Sequence, residues 1–290
     1  MSTPTLATVR PGQELTTVLA CTRKERRLAK SGTPYLVLEL RDRSGAIQAR
    51  AFRNADVLAG RFERGDLVSV AGRVERFRDE LQLEVHTISR AEDRADPADF
   101  LPVAYRDLDE LEGFYEHLAG EVHDRGLSGL LERLLGDRQM RAELRRAPCT
   151  RTGHHAYLGG LLEHTVAVGT LALEVAPLHP RLDRDLLLCA ALVHDLGRTR
   201  EFTYGAEIGL TEEGRLLGHI ELGLRIVERF APADLAPTRR LALEHCVLCH
   251  HGPEPAPGRR FGSVEALTLA RLNALDASVK GALEHGLGPG

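Results

Sequence analysis

The sequence has no uninterrupted apolar run of ~20 residues, so no membrane-spanning helix is read from it and no membrane partner is expected. Its start, MSTPTLATVRPGQEL, lacks the cationic-then-apolar pattern of a secretory signal, which sets the expected location as the cytoplasm. Cysteine is scarce and odd in number. Cys21, Cys149, Cys189, Cys246 and Cys249 show no framework spacing, so thiols rather than disulfides are expected in a reducing compartment. Repeats are absent, and the one biased tract is the Pro/Gly/Arg-rich HGPEPAPGRR.

What is present is enough apolar material for about two domains: 290 residues, 43% of them hydrophobic. The net charge of -4 conceals an asymmetry. Residues 1–90 carry 16 Lys/Arg against 11 Asp/Glu, and the remaining 200 carry 22 against 31. The N-terminal part is therefore the candidate for meeting a polyanion. Thirteen histidines are the other anomaly.

The first 90 residues alternate with the two-residue period of half-buried strands, in ELTTVLAC, PYLVLELR, GAIQARAFR, DLVSVAGRVERF and ELQLEVHTIS. Between the third and fourth, NADVLAGRFERG suits a short capped helix. Five strands with a helix after the third is the order of an OB-fold β-barrel, whose strand face and first loop commonly grip single-stranded nucleic acid. The first loop is read as TRKERRLAKSG, with Arg23, Lys24, Arg26, Arg27 and Lys30 as phosphate contacts. Phe52 and Phe77 are candidate base-stacking platforms, or else core residues. Single-stranded RNA or DNA is the expected partner of this domain.

A charged, proline-punctuated linker follows at residues 91–102, and beyond it the strand period gives way to helices. The expected spans are 107–120, 124–146, 154–175, 183–196, 211–229, 237–250 and 263–284, with glycine stops at Gly136, Gly197 and Gly252. The fold class is thus α+β multidomain: an OB-fold barrel at 1–90, a linker, and an all-α domain at 103–290.

Within the helical part, LLLCAALVHDLGR places an imidazole and a carboxylate side by side in an apolar run. An unpaired buried carboxylate costs several kcal/mol or more, so something must compensate it. His164, His194, Asp195, His219, His250, His251, Asn273 and Asp276 all lie in mostly apolar segments on different helices. Convergent imidazoles and a carboxylate are what a divalent metal site in a helical bundle needs, because they supply lone pairs and the cation cancels the buried charge.

The order of these residues, and the HDLG that ends the helix, resemble the HD superfamily of metal-dependent phosphohydrolases. With the barrel, the GHHAYLGGLLEH opening, EGRLLGHI and HHG, the chain as a whole resembles the YhaM-type 3′-to-5′ exoribonucleases. That resemblance implies an exonuclease of RNA or single-stranded DNA. His164, His194, Asp195 and a distal acid would hold one metal, and Asp195 would bridge to a second held by His219 with His250 and His251. Two ions are implied, manganese first, with iron, cobalt or zinc as alternatives. His194 and Asp195 would be catalytic with Arg198, and His154, His155 and Arg198 would contact phosphate.

Two departures from the family pattern stand out. Arg198 replaces its usual lysine, keeping a cation and gaining a forked donor. Relatives read approximately Ile-Asp-Asn-Leu-Asp-Ala at the distal motif, and this chain reads Leu272-Asn273-Ala274-Leu275-Asp276-Ala277. The register favours Asn273 as the distal ligand, with Asp276 one turn away. Other readings are an HD phosphohydrolase of nucleotides or cyclic dinucleotides, although the loop after His251 lacks their Gly-Tyr-Pro signature, and a nucleic-acid-binding protein with a weakened metal site. Cys246-Val247-Leu248-Cys249-His250 matches haem-attachment spacing, but no export signal accompanies it; a zinc site at His245, Cys246, Cys249 and His250 lacks a second ligand pair. Self-association into a homo-oligomer is left open.

Overall fold

The computed structural model describes residues 5–78, 80–91 and 99–287. Five strands close into a barrel in the order β1-β2-β3-β5-β4: β1 (Glu14–Leu28), β2 (Pro34–Asp42), β3 (Gly45–Ala51), β4 (Leu67–Phe77) and β5 (Glu80–Arg90). A short helix α1 (Ala55–Ala59) follows β3, as an OB-fold requires. All pairings are antiparallel except β3 with β5. The alternation seen in the sequence sorts the side chains, and Leu15, Leu19, Leu38, Val70, Leu83 and Ile88 fill the interior.

A register shift between Cys21 and Arg23 lets one long strand serve two partners. Glu14 to Ala20 pairs with β4, and Ala20 to Leu28 pairs with β2. This corrects the expected basic loop, because Arg23, Lys24, Arg26 and Arg27 lie on β1 itself. Their charge is also largely spent. Lys24 Nζ donates to the Ala59 carbonyl at 2.8 Å and to that of Phe62, and meets Glu63 at 3.0 Å. Arg26 pairs with Asp56 at 2.7 Å, and Arg23 and Arg27 share Glu25. Of the five cations, Lys30 alone sits in the turn before β2.

The second part of the chain is helical: α2 (Leu108–Gly120), α3 (Arg125–Gly136), α4 (Arg138–Arg146), α5 (Gly160–Val175), α6 (Arg184–Val193), α7 (Arg198–Glu201), α8 (Glu212–Phe230), α9 (Pro237–Leu248) and α10 (Val264–His285). The span expected at 124–146 is two helices, because Asp137 leaves helical geometry and its side chain accepts from Met140 N–H. The helix expected from 154 starts at Gly160, since His155 and Gly159 hold φ of 51° and 80°. A two-stranded hairpin that sequence periodicity does not reveal, β6 (Phe202–Tyr204) with β7 (Ile208–Leu210), separates α7 from α8. Gly136 and Gly252 stand at helix ends as expected, but Gly197 keeps helical φ (-59°) and stops nothing.

Contacts divide the chain into Met1–Pro102 with Thr203–Gly209, and Val103–Phe202 with Leu210–Gly290. The expected linker is described only at residue 91 and from 99, its middle lying outside the described residues, and Phe100 and Leu101 at its end are buried. The expected absence of any membrane-length apolar segment also needs correction. Gly160–Leu178 passes by length and composition, with a mean hydropathy of 1.3. Its helix α5 packs against α2, α6 and α10 and buries Glu163 and His164, which marks it as the central helix of this unit's core.

Gly72 carries the other irregularity of the barrel, where β4 and β5 slip by one residue. A Cβ there would lie 2.2 Å from the Glu84 carbonyl oxygen. Gly72→Ala should lower the urea stability of the chain by about 1–3 kcal/mol through overpacking. Gly45→Ala, with open space around it, should change it by a few tenths, and equal effects would refute this account.

Candidate metal centre

His194 follows the last residue of α6, a helix whose residues from Leu186 to Val193 are all buried. The turn Asp195-Leu196-Gly197 then leads into α7. Gly197 is required by space, not by conformation: a Cβ would lie 1.9 Å from the His219 carbonyl oxygen of α8. Within α8, Gly218 adopts φ of 71° and breaks the helical path immediately before His219. Both glycines therefore control where the His219 imidazole stands.

Two histidines are locked by the same device. His194 Nδ1 lies 2.8 Å from the Ala191 carbonyl, and His250 Nδ1 lies 2.6 Å from the Val247 carbonyl, each three residues back at a helix end. A carbonyl only accepts, so each Nδ1 carries the proton and each Nε2 is left with a lone pair. His164 Nδ1 is held at 2.6 Å by Asp276 Oδ2, which turns its Nε2 toward His194 Nε2 at 3.2 Å. Helix carbonyls and a carboxylate behind ligating imidazoles are the outer shell that metal sites use to fix tautomers.

Asp195, 2% exposed, points one oxygen at each of two groups. Oδ1 faces His250 Nε2 at 3.3 Å, His219 Nε2 at 3.5 Å and Arg198 Nε at 3.4 Å. Oδ2 faces His194 Nε2 at 3.8 Å, His164 Nε2 at 3.9 Å and Cys149 Sγ at 3.7 Å. Burial opposes the carboxylate's charge, but the Arg198 guanidinium holds its pKa well below the ordinary range. Burial likewise pushes His194 well down, so it is neutral at pH 7.

The residues fit a divalent cation. Asp195 Oδ1 and His250 Nε2 are buried, face each other and have no hydrogen-bond partner. With the His250 proton on Nδ1, both atoms are acceptors, and a cation bound between them would turn the repulsion into attraction. Metal–nitrogen bonds of about 2.0–2.1 Å, at angles of about 90–110°, place neighbouring ligand atoms about 2.8–3.4 Å apart. His164 and His194 at 3.2 Å, and His219 and His251 at 2.9 Å, match that spacing. Asp195, His219, His250 and His251 present ligand atoms that all lie within 4.8 Å of one another, and so do Cys149, His164 and Asp195.

The distal position departs from expectation. Asn273 directs its amide nitrogen to the His250 carbonyl at 3.1 Å and touches His251 Nδ1 at 3.4 Å. The carboxylate that meets the imidazoles is Asp276, one turn along the same face of α10, which accepts from His164 and from His155 Nε2 at 3.0 Å. His155 is buried, and its Nδ1 lies 2.9 Å from the Tyr157 hydroxyl, which donates to Glu163. It braces the centre from behind and presents no surface to a phosphate. Its neighbour His154 is half-buried, and burial with the nearby imidazoles lowers its pKa to about 4. Arg198 is engaged by Asp195 and by Glu201 Oε2 at 2.7 Å. Glu201 also faces His219 Nδ1 at 3.4 Å. Sequence reasoning missed Glu201 and Cys149, because neither lies in a histidine motif.

On the barrel, Phe52 and Phe77 are each 47% exposed, which decides between platform and core in favour of exposed rings. Tyr35 stacks on Phe52 with ring centroids 5.5 Å apart, and the guanidiniums of Arg50 and Arg78 lie over Phe77 at 5.2 and 5.4 Å. Sequence reasoning missed Tyr35, which precedes Leu36, the residue opposite Ala51 across β2 and β3.

Two measurements test the centre. Asp195→Ala should lose bound metal on both sides of the carboxylate, and full metal content by elemental analysis would refute the assignment. Asp276→Ala should weaken metal affinity roughly 10–100-fold by freeing the His164 ring. Asn273→Ala should cost less, and the reverse order would restore Asn273 to the ligand position.

An HD-domain profile matches residues 161–278, and an OB-fold nucleic acid binding domain profile matches residues 20–90. Among curated proteins, the 3′-5′ exoribonuclease YhaM of Bacillus velezensis is 29% identical over 261 residues, covering 87% of this chain and 81% of that protein. The Bacillus subtilis protein of the same name is 28% identical over 277 residues, covering 92% and 86%. Among solved structures, the second OB-fold domain of replication protein A from Methanococcus maripaludis aligns at 21% identity and a TM-score of 0.25, covering 31% of this chain and 96% of that one. The chain thus carries an HD domain over residues 161–278 and, ahead of it in sequence, an OB-fold nucleic acid binding domain over residues 20–90.

Proposed function

We propose that this chain is a divalent-metal-dependent exonuclease that hydrolyses phosphodiester bonds of single-stranded RNA or DNA from the 3′ end, acting in the cytoplasm. The observation that carries the proposal is Asp195, buried with one oxygen toward His219 and His250 and the other toward His164 and His194. The names of the YhaM relatives and the OB-fold domain support the choice of a nucleic-acid substrate.

His164, His194 and Asp195 would hold one ion, and Asp195, His219, His250 and His251 a second, with manganese first and iron, cobalt or zinc as alternatives. Such a pair supplies a nucleophilic water at neutral pH and neutralises charge on the phosphoryl oxygens. The protein's part is to keep the donors ready. The Ala191 and Val247 carbonyls hold His194 and His250 in the Nε2-free tautomer, Glu201 orients His219, and Arg198 keeps Asp195 ionised. On the barrel, Tyr35, Phe52 and Phe77 offer faces on which bases stack irrespective of sequence.

A manganese-dependent time course on a 5′-labelled oligoribonucleotide tests this reading. A receding ladder of products is expected. A single internal cut would replace the exonuclease with an endonuclease, and an unchanged oligomer with full metal content would favour a small nucleotide substrate.

Because the β1 cations are already paired, the aromatic face should matter more to binding than they do. Phe52→Ala should weaken oligomer binding by about 1–3 kcal/mol per lost stack while sparing hydrolysis of a small phosphodiester. Charge reversal at Arg26 and Arg27 should cost less. Equal loss on both substrates would mean that Phe52 serves folding instead of grip.

A further inference from the structure

Cys149 lies in the segment between α4 and α5, fully buried, with its backbone N–H bonded to the His155 carbonyl. Its thiol donates to Asp195 Oδ2, with Sγ 3.7 Å from that oxygen. Cys149 Sγ, a His164 ring nitrogen and an Asp195 oxygen lie within 4.8 Å of one another, and His194 Nε2 borders them, 3.2 Å from His164 Nε2 and 3.8 Å from Asp195 Oδ2. His194 Nε2 bears a lone pair because its proton is held on Nδ1 by the Ala191 carbonyl. His164 Nδ1 is likewise occupied by Asp276. Two ring nitrogens 3.2 Å apart therefore converge on one point inside the core, and a proton or a metal ion has to lie between them.

We propose that Cys149 is the fourth donor at this position, completing a Cys/His/His/Asp set, and that its sulfur shifts the preference there toward zinc, cobalt or iron over manganese. The proposal rests on the reading of Asp195 as a metal ligand. Bonds of about 2.3 Å to sulfur and 2.1 Å to oxygen at a tetrahedral angle separate the two ligand atoms by about 3.6 Å, close to the 3.7 Å observed. Thiolate is the soft member of the set, and soft ligands select the later divalent ions. Coordination exchanges the S–H bond for a metal–sulfur bond, and the proton leaves to solvent. Charge argues the same way: two neutral imidazoles and a shared carboxylate leave a divalent ion undercompensated in a dry site, and a thiolate adds the second negative charge.

The test uses the full chain, stripped with chelator and titrated with cobalt(II). The wild type should develop the near-ultraviolet sulfur-to-cobalt charge-transfer absorption. Cys149→Ser should lose that absorption while still binding cobalt, and its zinc affinity should fall roughly 10–100-fold with a smaller change for manganese. A double variant, Cys246→Ser with Cys249→Ser, should keep the absorption. Cobalt bound to the wild type without the absorption, or an absorption that disappears with Cys246 and Cys249, overturns the proposal. X-ray absorption of the zinc-loaded wild type needs no substitution: a sulfur scatterer supports the assignment, and a shell of nitrogen and oxygen alone defeats it. Stoichiometric cobalt in Asp195→Ala would instead remove the metal reading of the whole centre, so the two failures are distinguishable.

Discussion

The helical unit is organised around one buried carboxylate that it cannot afford to leave alone. Asp195 sits on the turn after a helix buried along most of its length, where a bare negative charge would oppose folding. The protein surrounds it with imidazoles whose own protons are committed elsewhere, so they present lone pairs instead of hydrogen bonds. Among the described residues only Arg198 offers it a permanent positive charge at close range, and that guanidinium is shared with Glu201. The result is a centre poor in protons and rich in donors, which is a description of a cation site in terms of its surroundings.

Behind the donors lies a second layer that is as polar as the first and nearly as buried. Asp276 holds His164 and His155, His155 meets the Tyr157 hydroxyl, Tyr157 donates to Glu163, and Lys280 closes the series on Glu163 at 3.1 Å. Each member satisfies the next, so the layer has a single low-energy arrangement. Burial works against the Glu163 charge, but hydrogen bonds from His155, Tyr157 and Lys280 lower its pKa to about 2, so the anchor stays ionised. α5 and α10 are joined through this chain of polar groups as well as through their apolar contacts.

Much of this was legible in the sequence, and the reasons differ by feature. The barrel could be read because five strands alternate cleanly and the helix falls after the third. The His-Asp pair could be read because a charge in an apolar run demands compensation. The true length of β1 was hidden by its own charges, since paired arginines and glutamates on a strand look like a solvated loop when partners are unknown. Asp137 breaks an otherwise continuous helical pattern by capping, an effect that periodicity does not register. The hairpin after α7 has strands of three residues, too short to show a period. Cys149 and Glu201 reach the centre from segments with no histidine motif, so only folding brings them there.

Gly197 has a consequence that extends past its own turn. Where it meets α8, backbone lies directly on backbone, with no side chain between the turn and the His219 carbonyl. The spacing from Asp195 to His219 is therefore gauged by the van der Waals radii of main-chain atoms, which no mutation alters, and not by the packing of side chains, which every mutation alters. Such a gauge separates the frame of the centre from its chemistry. Side chains around Asp195 can be exchanged while the distance across the carboxylate remains where the two stretches of backbone set it.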